Sequence, residues 1–369
     1  MRLHWHRRDL RAADNKGLAA ATADGPVVPV FVFDRDVLAH AGPPRVSFML
    51  DALGGLRAWY RERDSDLVVR EGDPREVLPA VAEEFGADGV TWCEDVSGLG
   101  RERDADVRLA LDDADCSRES VQDALLYEPG SIRTNAGDVY SVFTYFGRKW
   151  ASREKPDPIP APEAGVLAAV SGDGLPTIEE LGFDEPEADI ANAGTEPARD
   201  RLREFCADGI YRYETDRDYP TRDAVSGLSV DLKFGTIGIR EVHEATEAAR
   251  KRVESGDQRG EAKNGDSEDD ERISSIEEFQ SQLAWREFYT HVLFYNPEVV
   301  TANYREYEHD IEWRNDAEEL RAWKAGETGY PIVDAGMRQL KSEAYMHNRV
   351  RMIVASFLTK DLLIDWREG

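Results

Sequence analysis

Three groups of residues in this 369-residue chain have types and spacings that could do chemistry. The first lies near the C-terminal end, where Asn348, Arg349 and Arg351 stand at the start of an apolar stripe formed by Val350, Ile353, Val354, Phe357, Leu358 and Leu362. Recurrence at i, i+3, i+4 and i+7 predicts a helix, and cationic and amide groups at its start suit an anion or the polar edge of a ring. The plainer reading is a solvated first turn bridged to nearby acids. The second group is Gln282, Trp285, Arg286 and Tyr289, which share one helical face. An indole with an amide and a guanidinium on one stripe can stack on a flat ring and bond its edge. It is equally the pattern of a core tryptophan with polar neighbours at the boundary. The third is Tyr213, Arg217-Asp218-Tyr219-Pro220 and Ser226-Gly227-Leu228-Ser229. Hydroxyls around a glycine can hold a phosphate, or can simply cap a turn.

The elements that must position these residues divide the chain. In the first 150 residues, strand signals at Arg2–His6, Val27–Phe33, 67–70 and Gly89–Cys93 alternate with helical ones at 46–63, 75–85 and 102–111. That alternation predicts a doubly wound parallel sheet. No G-x-G-x-x-G follows the first strand, which argues against an ordinary dinucleotide-binding half. Lys155-Pro-Asp-Pro-Ile-Pro-Ala-Pro162 reads as a stiff connector. From Glu204 the signals are helical, strongest at 276–295, 317–325 and 332–363. The expected layout is an α/β domain at 1–155, a linker at 156–200 and a helical domain at 201–369, with a disordered polar insertion at 254–272.

Composition bounds the rest. The net charge is -28, and lysine is scarce beside arginine. Such a surface stays soluble at high salt and reads as a halophile's. It leaves room for a local basic groove that binds phosphates. No apolar run reaches about eighteen residues, so no membrane span is expected. There is no signal-peptide core, and the default is a cytoplasmic protein. Cys93, Cys116 and Cys206 form no metal-ligand or paired spacing, so neither structural metal nor disulfide is expected.

The three groups, in this order and spacing, resemble the photolyase/cryptochrome family. The opening Leu3-His-Trp5, Arg7-Arg8-Asp9-Leu10-Arg11 and Asp14-Asn15 is similar to the family's first strand and turn. Thr328-Gly-Tyr-Pro-Ile-Val-Asp334, Met346-His-Asn-Arg349, Ala355-Ser-Phe-Leu358 and Asp365-Trp366 resemble the class I enzymes that repair cyclobutane pyrimidine dimers. The resemblance implies an α/β antenna domain, a long linker and an all-helical domain holding folded FAD. Tyr213, Ser226, Leu228, Ser229, Arg286, Asn348 and Arg351 would bind the flavin. Arg217, Gln282, Trp285, Asn348, Arg349 and Met352 would meet DNA containing a dimer flipped out of the stack. Photolyases are themselves a stock example of base flipping. Trp313 and Trp366 would relay electrons to oxidised flavin. Light absorbed by reduced FAD, directly or through an antenna pigment, would send an electron into the dimer, split the ring and recover the electron. Arg45 and Asp95 resemble antenna positions of deazaflavin-type members. A folate is less favoured, because Glu94-Asp95 stands where its users carry Asn-Glu. Val225-Ser226-Gly227 departs from the family's Thr-Ser-Arg. The resemblance further implies that the family's helical domain continues beyond Gly369, leaving this chain, expected as a monomer, without its C-terminal part. A cryptochrome-like photoreceptor, and a fragment unable to hold FAD, are the competing expectations.

Overall fold

The computed structural model describes residues 1–256, 266–309 and 311–369. Five parallel strands, β1 (Arg2–His6), β2 (Val27–Phe33), β3 (Val68–Glu71), β4 (Gly89–Cys93) and β5 (Ser117–Val121), lie in the order β3-β2-β1-β4-β5. Helices α1 (Lys16–Ala23), α2 (Arg35–Leu38), α3 (Pro43–Arg61), α4 (Pro74–Phe85) and α5 (Gly98–Asp113) connect them. Every residue of β2 is buried, because helices cover both faces of the sheet. One face packs Phe31, Phe33, Leu53, Leu56 and Tyr60; the other packs Trp5, Val30, Leu78, Val107 and Leu111. The strand order reverses at β1, flanked by β2 and β4, and such a reversal leaves a crevice beyond the carboxyl ends of the strands.

The helical part contains α6 (Phe143–Ser152), α7 (Thr195–Ala207), α8 (Tyr213–Asp216), α9 (Ser229–Phe234), α10 (Ile239–Ser255), α11 (Asp266–Tyr295), α12 (Ala317–Ala325), α13 (Pro331–Glu343) and α14 (Asn348–Ser356). Its main core includes Leu126, Phe146 and Trp150, so the chain enters it straight after β5. Residues 153–194 then run back along the first domain. Ala168 N donates to Val27 O at 2.9 Å, and Leu167, Ile178 and Leu181 are buried against the sheet's helices. Much of the expected linker is therefore packed structure, and its last part, from Thr195, is already α7. Of the polar stretch 254–272, Glu254 and Ser255 close α10 and 267–272 lie in α11; residues 257–265 lie outside those described.

A buried latch joins the two parts. Asp14, in the left-handed region at φ 53°, bonds the Arg240 guanidinium and accepts from Glu241 N at 3.2 Å. Asp123 engages Arg11 and Arg240 from the other side. Gly238 is required here, since a Cβ would lie within 1.8 Å of Asp14 Oδ2.

The helical signal over 332–363 resolves into α13, a break and α14, followed by a single wide turn at Phe357–Asp361. Ala344 takes φ 51° and ends α13. His347 caps α14, its Nδ1 accepting from Arg349 N at 3.2 Å. Trp323, Val333, Met337, Met346, Val350, Val354 and Phe357 form a small core of their own around this hairpin.

Candidate functional site

Helix α11 is the spine of the site. Its stripe Gln282, Trp285, Arg286, Tyr289 lies where the spacing placed it, but the side chains part company. The Trp285 ring stacks on Phe143 of α6 with centroids 3.7 Å apart and planes 10° from parallel, and lies 5.4 Å from Tyr289. Phe143 thus backs the indole, a partner the sequence did not disclose. Arg286 turns toward the first domain, donating to Ala124 O at 2.7 Å and Leu232 O at 3.1 Å. Burial, helped by the charges of Arg8 and Arg11, pulls its guanidinium down to about 10 against the attraction of Glu287. The adjacent Glu287 is fully buried, bonded by Leu126 N and by Trp150 Nε1 at 2.9 Å. Burial pushes its carboxyl up to about 7 against those bonds.

Gln282 faces a charged belt. Its Nε2 donates to Glu278 Oε1 at 2.9 Å, and the same carboxylate pairs with Arg217, which follows α8. The neighbouring Asp218 pairs with Arg349 of α14. Arg217, Gln282 and Arg349, far apart in sequence, are therefore tied into one edge. The two cations are held by Asp218, a member of the third group, and by Glu278, which residue spacing did not single out.

Tyr213 is buried, its ring edge-on to Phe205 and Phe279, so α8 is anchored by the ring of the residue expected at the cofactor. Ser226 Oγ accepts from Leu228 N at 3.4 Å across Gly227, which needs its φ of 66°. Leu228 is buried and Ser229 exposed at the start of α9, whose Leu232 carbonyl receives Arg286. Asn348, Arg351 and Met352 are exposed on α14, and Arg351 has no ion pair among the described residues. Trp313 and Trp366 come to one corner: Arg314 N donates to Leu363 O at 2.7 Å, and Asp365 N to Asn315 Oδ1 at 2.8 Å. Trp366 Nε1 donates to Asn303 at 3.1 Å. No ring contact joins the two indoles among the described residues.

A second polar cluster occupies the crevice beyond β1 and β4. Asp95 pairs with Arg8 at 3.3 Å. Burial raises its carboxyl, but Arg8 and the Ser97 amide outweigh that and hold it well below the usual carboxylate range. Arg8 Nε donates to Lys233 O at 3.3 Å. The charge of Arg8, then burial, lowers the Lys233 ammonium to about 8, with Arg45 and Arg286 adding to it. Arg45 and Asp95 thus belong to a cation-rich seam that also holds Arg8 and Lys233.

Residues 2–163 match the family model described as DNA photolyase, and residues 279–369 the one described as the FAD binding domain of DNA photolyase. A relative from Halobacterium salinarum named deoxyribodipyrimidine photo-lyase is 56% identical over 100% of this chain and 77% of its own length. The chain belongs to the photolyase/cryptochrome family. Another photolyase relative, of the same printed name, from Synechococcus, is 39% identical over 100% of the chain and 75% of its own length. Among solved structures, a bacterial class III photolyase from Agrobacterium tumefaciens superposes with a TM-score of 0.87 at 33% identity, covering 100% of this chain and 74% of that one. An archaeal photolyase from Sulfolobus tokodaii, solved with two FAD molecules, gives 0.79 at 30% identity, covering 99% and 76%. The two-part fold read from periodicity is that of these photolyases, and a halobacterial relative accords with the halophile reading of the -28 charge. Among the described residues no helix is long and apolar enough to cross a membrane.

Proposed function

We propose that this chain is a deoxyribodipyrimidine photo-lyase that binds cyclobutane pyrimidine dimers in DNA and splits them with light through FAD. The observation that carries the reading is the edge built on α11. A half-buried indole backed by Phe143 stands one turn from the Gln282 amide, which shares Glu278 with Arg217, while the neighbouring Asp218 holds Arg349. The relatives' printed names and the two matched family models support the same assignment.

The residues fit a flavin dinucleotide. Arg286, half-buried with only carbonyl partners, is a cation that an anion in reach would stabilise. Arg286, Tyr213, Ser226, Leu228 and Ser229 would hold its phosphates and ribityl chain, and Asn348 and Arg351 its ring. When bound and reduced, FAD supplies the electron that light sends into the dimer. Trp285 stacks the flipped-out lesion, and Gln282 bonds a thymine edge through its amide. Arg217 and Arg349 leave their acids to meet the DNA phosphates that flank it. Asn348 and Met352 close the lesion side of α14. Trp313 and Trp366 relay electrons inward. The seam of Arg8, Arg45, Lys233 and Asp95 would hold the antenna pigment, deazaflavin-type rather than folate.

Binding tests the lesion site directly. Trp285→Ala should cost about 1–3 kcal/mol, roughly 5- to 150-fold, for dimer-containing DNA. Undamaged DNA should bind as before. Equal losses on both DNAs would contradict the stacking role.

A further inference from the structure

Most arginines outside the site face a carboxylate, as expected of a chain with 74 acidic and 46 basic residues. One stretch breaks this rule. Residues 131–155 hold five cations (Arg133, Arg148, Lys149, Arg153, Lys155) against Asp138 and Glu154. Among the described residues none of the five makes an ion pair. Arg133 donates to the carbonyls of Gly130 at 2.8 Å and Gly137 at 2.9 Å, and to Tyr295 Oη at 3.2 Å. Lys149 donates to Arg133 O at 2.7 Å and Asn135 Oδ1 at 3.1 Å. Arg153 bonds Ser131 O at 2.6 Å. The Arg148 side chain is exposed and makes no hydrogen bond among the described residues, its guanidinium 5.9 Å from the Tyr145 ring. Neutral oxygens and ring faces thus hold these cations, with no carboxylate at ion-pair distance among the described residues.

Aromatic groups interleave them. Tyr145 is 59% exposed, and the aliphatic Val142 nearby is 51% exposed. One residue away, Phe143 stacks on Trp285 at 3.7 Å, and beyond it Tyr289 is 62% exposed. Through Phe143, α6 thus joins these cations to Trp285, the indole proposed to stack on the lesion. Unpaired cations beside exposed aromatic faces match the phosphates and bases of a nucleic acid.

We propose that α6 and the loop before it, through Arg148, Lys149 and Arg133, form an auxiliary DNA-backbone contact that holds the duplex beside the lesion pocket and reads no sequence or damage. The proposal rests on the reading of the chain as a DNA enzyme. In a protein this acidic it would supply attraction that the overall charge opposes.

The test is titration of the full chain with labelled duplexes, one undamaged and one carrying a single dimer, at several salt concentrations. Arg148→Gln removes a side chain with no hydrogen bond, and Arg148→Gln/Lys149→Gln removes two phosphate contacts. The double variant should lower the slope of log affinity against log salt by about 1.8, at roughly 0.9 per phosphate. The single variant should lower it by about half as much. Both duplexes should weaken equally, so the damaged-to-undamaged ratio stays constant. An unchanged slope in the single variant overturns the proposal, and so does a loss confined to the damaged duplex. Trp285→Ala is the separate control. If it leaves that ratio unchanged, the lesion site fails while a changed slope in Arg148→Gln still supports the backbone contact.

Discussion

Replacing Glu278 by glutamine should make the protein bind dimer-containing DNA more tightly. The Glu278 carboxylate pairs with Arg217 and accepts from Gln282 at 2.9 Å, so it stands where a phosphate bound by Arg217 must approach. At a separation of about 6 Å, two like unit charges repel by ~0.7 kcal/mol at a dielectric constant of ~80 and ~1.4 kcal/mol at ~40. The side chain is 35% exposed, which places it between bulk water and the interior. Removing that charge should tighten binding about 3- to 10-fold. Glutamine still offers an oxygen to Gln282, so the amide keeps its place, and losing one partly exposed ion pair costs at most about 1 kcal/mol of stability. Arg217 would then reach DNA unneutralised, and the slope of log affinity against log salt should steepen by up to about 0.9. Fluorescence anisotropy at three or more salt concentrations reads both quantities. Weaker binding with an unchanged slope would mean that Arg217 serves the fold and not the DNA.

Two further outcomes follow from the same structure. Glu287 has its carboxyl raised by burial from 4.5 to about 7, so the unfolded chain ionises first and its contribution to stability is lost as pH rises through that window. The loss is of the order of 3 kcal/mol. His4, His243 and His291, lowered by burial to about 4, act in the opposite sense, adding stability as pH rises from about 4 toward 6.5. Urea unfolding at pH 5 and pH 8 should therefore show the stability gap between wild type and Glu287→Gln moving against wild type at the higher pH; a pH-independent gap would refute the assignment. Trp366→Phe should slow light-driven reduction of bound oxidised flavin by about tenfold or more, ~1.4 kcal/mol in barrier, while leaving repair by pre-reduced flavin intact. An unchanged absorbance transient would remove Trp366 from the relay.

The sequence disclosed those parts of the fold whose signals are local and repeated. β2 is apolar throughout and α4 is capped by Asp73 before Pro74, so both are visible in a short window. β5 carries Arg118 and Glu119 at the sheet edge with little burial and has no apolar alternation to find. Leu167, Ile178 and Leu181 fill slots in the first domain one at a time, which leaves no period in the connector that holds them. The site divides similarly. Gln282, Trp285 and Arg286 share a stripe because α11 is regular. That Phe143 would back Trp285, or that Glu278 and Asp218 would hold Arg217 and Arg349, depends on contacts between distant segments. The seam partners Arg8 and Lys233 are 225 residues apart and lie on the two parts that the latch at Asp14 and Arg240 joins.

On the proposed function, this chain charged with reduced FAD repairs dimers under light. The direct measurement is the recovery of thymine from a dimer-containing oligonucleotide, illuminated and dark, with wild type and Trp285→Ala side by side. Wild type should restore thymine in the light and none in the dark, with a strong loss in the variant at limiting DNA. No light-dependent recovery by wild type with reduced flavin bound would contradict that function.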